Sequence, residues 1–306
     1  MLSNVILKNR GIMSASNSNM DFKLKIEQIN ELPSLPSITK QLLLLQKNSD
    51  STTKELVKIL ELDPVLSAQI LKYSNSAFFN RAKRIESLND ATSVIGFEIA
   101  LNYAIAVTSA SQFSIPMTGP IGMRSFWKHA IYSAHLMQKL ASKIPIQEKP
   151  ISGLAYLSGL LHNIGFVLLG HTFPNEFDEL NNALANSKPG NVSSIELKLL
   201  GVHHYELSIW LMRKWGLPKE IMTAVFEHHN ENYKGINWQY ANLTLLVDRL
   251  LFNYDLGDAE NGELPQRILD VLDLDSNTVM ECTESLLTEK TNINGMIEAI
   301  LSSSKD

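Results

Sequence analysis

The stretch "DPVLSAQILKYSN", residues 63–75, carries a start signal, a buried face and a stop in thirteen positions. Asp63 has the short acceptor side chain of an N-cap, and Pro64 suits the first helical position, where no amide hydrogen is needed. Leu66, Ile70 and Tyr73 then recur at helical spacing, which predicts one apolar face. The same grammar repeats outward. "TTKE" (Thr52 to Glu55) reads as a capping box opening "LVKILEL". A further helix is expected from about Asn89–Asp90, interrupted at Gly96 and resumed through "FEIALNYAIAV".

"PMTGPIG" (116–122) is the clearest break in the chain. Beyond it, Phe126, His129, Ser133, Leu136 and Leu140 form one helical stripe. Ala155, Ser158, Gly159 and His162 form a narrow face that another helix could approach closely. "SSIE" (Ser193 to Glu196) reads as a second capping box, opening a helix that runs towards "WGLP". There Gly216 can end one helix and Pro218 begin the next, which finishes at His228–His229. "WQYANLTLLVDRLLF" puts Ala241, Leu245, Asp248 and Phe252 on one side, and two short helices are expected after Pro265 and after Ser276. No run alternates as a strand would. The fold class is all-α.

Composition agrees with a chain that folds: 44% hydrophobic and 19% charged over 306 residues. One cysteine, Cys282, excludes an internal disulfide and any multi-cysteine zinc site, and fits a reducing cytoplasm. The net charge of −5 is uneven, because residues 255–306 hold twelve acidic and three basic side chains. Neither part has the dense basic surface that nucleic-acid binding needs, so no nucleic-acid partner is expected. Residues 150–175 contain no Lys, Arg, Asp or Glu and are long enough to cross a membrane. Four glycines, two serines, two histidines and two asparagines within that stretch suit burial in protein rather than lipid.

All eight histidines lie between residues 129 and 229. His129, the pair His162–Asn163 and Asp248 sit on or beside stripes that should be buried, where an ionised carboxylate is costly unless a cation or several donors meet it. Imidazoles and a carboxylate converging from separate helices suit a transition metal and a metal-activated water. Each also has a plainer reading: a lone histidine as a hydrogen-bonded core residue, Asp248 as a helix cap, His228–His229 as a C-terminal electrostatic cap. Of His203 and His204, only one can face inward. His204 shares a stripe with Leu200, Leu207 and Leu211. "NRAKR" (80–84) reads as a solvated basic loop. The sequence after Gly96 is too apolar for a DNA groove.

The spacing His129, His162–Asn163, Asp248 resembles the H…HD…D pattern of HD-superfamily metal-dependent phosphohydrolases. His204, His228 and His229 resemble the extra histidines of the HD-GYP phosphodiesterase branch, although no GYP motif is present. "LPSLPSITKQLLLL" (32–45), "LELDPVLSAQILKYSNSAFF" (60–79), "SVIGFEIAL" (93–101) and "WLMRKWGLPKEIMTAVFEHH" (210–229) resemble the HDOD domain, a relative found in bacterial signalling proteins. The likeness runs over about residues 25–250.

The resemblance implies a multi-helix fold with an N-terminal helical part packed on an HD-like core. The expected divisions are a flexible tail at 1–24, the N-terminal part at 25–115, the core at 116–252 and an acidic helical extension at 253–306. It also implies a cytoplasmic, non-enzymatic signalling module acting through protein–protein contacts with signalling proteins. In catalytic relatives an aspartate stands where this chain has Asn163, and it holds or bridges the metals. An amide lacks that charge, so a degenerate site is expected: no cofactor required, with His129, His162 and Asp248 able to keep one divalent transition metal. The alternatives are a metal-dependent phosphohydrolase and a nucleotide sensor using the same pocket. Tyr73, Asn75 and Ser76 match the family's NSA element and are expected to join a helix to its neighbour.

Overall fold

The chain is known as a computed structural model that describes Phe22 and residues 32–76, 79, 84–145, 147 and 149–303. All regular elements among these residues are helices. The local signals near the N-terminus act as their chemistry requires. After α1 (Ser37–Lys47), the Thr52 hydroxyl accepts from the Glu55 amide while the Glu55 carboxylate accepts from the Thr52 amide, opening α2 (Thr53–Leu60). Asp63 Oδ1 accepts from the amides of Val65 and Leu66, opening α3 (Pro64–Ser74). Leu66, Ile70 and Tyr73 are all buried.

Asn75 then joins this helix to the segment that follows. Its amide donates to the carbonyls of Leu71 and Ile85, and its oxygen accepts from the Ile85 amide. Of the basic loop at 80–84, only Arg84 is among the described residues. Gly96 separates α4 (Leu88–Ile95) from α5 (Phe97–Ala110) by adopting φ +89, and the two helices meet at 106°. Helix α5 is buried along most of its length and packs between α1 and a later helix, α7.

The second half is built around α6 (Met123–Ala141), whose stripe of Phe126, His129, Ser133, Leu136 and Leu140 is buried. It lies against α7 (Ser152–Leu161) so closely that a Cβ on Gly159 would stand 2.6 Å from the Ala134 Cα. The uncharged stretch Ser152–Thr172 has the length and hydropathy to cross a membrane, yet 94% of its apolar window is buried inside the protein. It breaks at His162–Asn163 into α7 and α8 (Ile164–Thr172).

Next come α9 (Pro174–Ala185), α10 (Val192–Leu199), α11 (His204–Trp215), α12 (Lys219–Glu227) and α13 (Trp238–Phe252). Here two expectations fail. Ser193 does not cap a helix, because α10 is already under way at Val192 and Glu196 is fully buried, turned towards the start of α11. Nor does one helix run from Ser193 to WGLP, since the chain breaks between Leu199 and His204.

The C-terminal segment also differs, forming three helices rather than two: α14 (Gln266–Leu272), α15 (Ser276–Thr288) and α16 (Lys290–Ser303). Helices α15 and α16 pack on α6, and α16 also reaches α3. Buried Ile293, Met296, Ile297 and Ile300 join the same core as the N-terminal helices. Phe22, inside the stretch read as a tail, is buried and meets the Phe173 ring edge-on at 4.9 Å.

Candidate metal centre

Five parts of the helical framework deliver side chains to one buried point. His129 comes from the middle of α6, and His162 and Asn163 from the break between α7 and α8. His204 opens α11, His228 and His229 follow α12, and Asp248 lies on α13. The glycines set the spacing. Gly159 lets α7 close on α6, and the Nε2 atoms of His129 and His162 stand 2.7 Å apart. Gly165 lets α8 approach the first turn of α11, where its amide donates to Ser208 Oγ at 2.8 Å. The residues expected to converge do so, and His204 is the inward member of its pair.

Two acidic residues belong here that the sequence did not reveal. Asp258 lies in the loop after α13, within the acidic segment, yet it is only 6% exposed. Its Oδ2 is 3.2 Å from His204 Nε2 and 3.3 Å from His229 Nε2. Its Oδ1 accepts from the Asn163 amide at 2.8 Å and stands 4.0 Å from His129 Nε2. Glu196 stands behind His204, with both carboxylate oxygens 3.1 Å from His204 Nδ1 and one accepting from the His204 amide. A lone Asp in an acidic run and a Glu in a capping pattern carry no mark of such roles. Gly257 is the one local signal beside Asp258, and its role shows only in the structure: at φ +96 a Cβ there would press on Asp248 and His129.

The tautomers follow from the acceptors. Gly159 and Val225 present carbonyl oxygens to the Nδ1 atoms of His162 and His228, at 2.9 and 2.6 Å. A carbonyl can only accept, so each Nδ1 carries the hydrogen and each Nε2 turns a lone pair inward. Glu196 imposes the same tautomer on neutral His204. His228 therefore does satisfy a carbonyl at the end of its helix, but as a neutral ring rather than a charged cap.

Burial pushes His129 down to about 4 and His162 down to about 3, each with neighbouring imidazoles adding to the effect. It holds His228 well below its usual range, with His229 reinforcing it. For His204 burial acts in the same direction, but the Glu196 and Asp258 carboxylates outweigh it and raise its pKa. Burial, then the charge of Asp258, lifts Asp248 well above the carboxylate range. Asp258 is held well below that range despite burial, because His204 and His229 face it.

This donor set fits a divalent metal. Two quartets bring their ligand atoms within 4.8 Å of one another: His204, His228, His229 and Asp258, and His129, His162, Asp248 and Asp258. Metal–ligand bonds of about 2.0–2.2 Å place neighbouring ligand atoms roughly 3–3.5 Å apart, close to the 3.2–3.4 Å separations among His204, His228, His229 and Asp258. His129 Nδ1, Asn163 Oδ1, His229 Nε2, Asp248 Oδ1 and Asp258 Oδ2 are buried without a well-formed hydrogen bond. Inward lone pairs with so few donors repel one another unless a proton or a cation lies between them. The Nδ1 contacts to Gly159, Val225 and Glu196 are the outer support that metal-bound histidines usually have.

All-helical, with histidines and aspartates gathered between its helices, the chain has the arrangement expected of the HD-like helical class. Residues 32–231 match the HDOD domain model, and the chain is a member of the HDOD family. A protein named for signal transduction from Marinobacter aquaeolei VT8 shares 31% identity and superposes with a TM-score of 0.81, covering 95% of this chain and 62% of its own. A protein provisionally named a phosphohydrolase from Shewanella amazonensis SB2B is 22% identical, with a TM-score of 0.70 over 90% of this chain and 97% of its own. It shares the fold. An uncharacterised protein of Treponema pallidum (strain Nichols) is 24% identical over 263 residues, 85% of this chain and 50% of its own. The chain thus spans about half the length of that curated relative. Asp248 and Asp258 both lie beyond the matched family segment.

Proposed function

We propose that this chain is a non-enzymatic signal-transduction module of the bacterial cytoplasm, working through protein–protein contacts, in which the histidine–aspartate centre is a closed divalent-metal site. The observation that carries the reading is closure. Each quartet already contains four protein ligands, and Asp248 and Asp258 are 2% and 6% exposed. Structural metal sites are filled by protein, whereas catalytic ones leave a position for water or substrate. A bound ion here would tie together α6, the α7–α8 break, α11, the end of α12 and α13. It would hold the helices in one arrangement for a partner to read, and Asn163 fits a site kept for shape rather than turnover.

A second reading, hydrolysis of a phosphodiester, draws support from Asp258, which returns a negative charge to the neighbourhood of Asn163. A nucleotide bound but not cleaved is the third, and a ligand-induced rise in melting temperature would identify it. The deciding experiment incubates the metal-loaded chain with bis-(p-nitrophenyl) phosphate and a cyclic dinucleotide. No turnover is expected. Robust hydrolysis that disappears in His162→Ala would overturn the module reading.

A further inference from the structure

We infer that the centre holds two divalent ions joined by Asp258, one carboxylate oxygen to each, so that a residue of the C-terminal segment replaces the bridging charge missing at Asn163. The inference rests on the metal-site reading above and extends it. Asp258 is the one residue shared by the two quartets. Its oxygens are divided between them: Oδ2 faces His204 and His229, while Oδ1 faces His129. A carboxylate with each oxygen turned to a different ligand set is the geometry of a bridge.

Asn163 does not oppose this arrangement; it orients it. Its amide group donates to Asp258 Oδ1 at 2.8 Å and leaves the second lone pair of that oxygen available. An aspartate at 163 would face Asp258 with like charge. The amide at 163 and the acid at 258 are therefore a complementary pair in this chain.

The loop is built to hold Asp258 inward. Gly257 adopts φ +96 directly against His129 and Asp248, where a Cβ would stand 2.5 Å from Asp248 Oδ1. Leu256 and Ala259, on either side, are buried. Arg249, next in sequence to Asp248, donates to Asn261 and to the Glu263 carbonyl, clasping the returning limb of the loop. Asn253 donates to the Gly262 carbonyl across its base. Histidine with carboxylate suits manganese, iron or zinc.

Manganese is the probe, because two Mn²⁺ ions sharing a carboxylate give an exchange-coupled resonance that separate ions lack. The full chain, stripped with chelator and dialysed against Mn²⁺, should hold two ions by elemental analysis and show the coupled signal. Asp258→Asn should hold one ion or none and lose the coupling. Circular dichroism is the check that this variant is folded. The exchanged pair, D258N with N163D, keeps one acid and one amide in contact and should regain the second ion. Two coupled ions retained in Asp258→Asn would overturn the inference, as would an exchanged pair that stays at the single variant's level. One ion in the unmodified chain, unaffected by Asp258→Asn, would overturn the bridge and leave the closed-site reading standing. No ion at all would overturn both. Diester hydrolysis with two ions bound would overturn the module reading alone.

Discussion

Neutral imidazole is the form in which this protein keeps most of its buried histidines, and His135 shows the consequence away from the metal centre. It lies on α6, with Nε2 3.2 Å from the Tyr73 hydroxyl, which is also 3.2 Å from the Tyr156 hydroxyl. Burial holds its pKa down at about 4, against about 6.5 in an unfolded chain. Between those values the unfolded chain takes up a proton that the folded chain refuses. Stability from this group is complete above pH 6.5 and is lost as pH falls towards 4, by on the order of 3 kcal/mol. In chelator-treated protein the melting temperature should therefore fall between pH 7 and 4.5. His135→Gln, which cannot titrate, should show a shallower fall, and an unchanged slope would refute the assignment. His129 and His162 add to the same trend. No local signal in the sequence marks His135, because nothing there places Tyr73 and Tyr156 beside it.

At the scale of elements, helix contacts depend on where glycine permits backbone to meet backbone. A Cβ on Gly165 would lie 1.9 Å from the His204 carbonyl oxygen, which neither helix can yield without moving the first turn of α11. Gly165→Ala should cost about 1–3 kcal/mol, a fall of roughly 3–10 °C in melting temperature. It should also weaken metal binding, because His204 is the residue displaced. Gly295 on α16 is exposed, with nothing within 4 Å of its Cβ position. Gly295→Ala should be neutral or stabilise by up to about 1 kcal/mol. Paired thermal melts test the contrast, and equal effects would refute it. Helix starts such as Thr52–Glu55 and Asp63–Pro64 were readable because a cap is satisfied within three or four residues. Ser193–Glu196 has the same pattern, but His204 competes for the Glu196 carboxylate from a separate helix, and the buried ionic contact prevails over the local cap.

The whole molecule is closed by its C-terminal segment. Helices α15 and α16 cover α6, and α16 spans to α3, adding the buried side chains of Ile293, Met296, Ile297 and Ile300 to the core. Burying each such side chain is worth about 1.5–3 kcal/mol. A chain ending at Phe252 should melt at least about 10 °C lower or aggregate, and it should bind less metal because Asp258 is gone. A truncated protein with unchanged melting and unchanged metal content would show the segment to be an appendage. Its charge suggested a solvated face, and acids of the segment such as Asp255, Glu260, Glu263, Asp270 and Asp273 do lie exposed. What charge counting conceals is the inward stripe and a single acid on a tight loop.

The sequence by itself determined the helices, most of their ends, the family and the list of histidines that meet, because caps, stripes and motif spacing are short-range facts written in order along the chain. The tertiary structure alone decided that Glu196 supports His204 and that Asp258 enters the centre. Both are contacts between different elements, made where close glycine packing and burial turn an acid that its local sequence leaves unmarked into the partner of an imidazole.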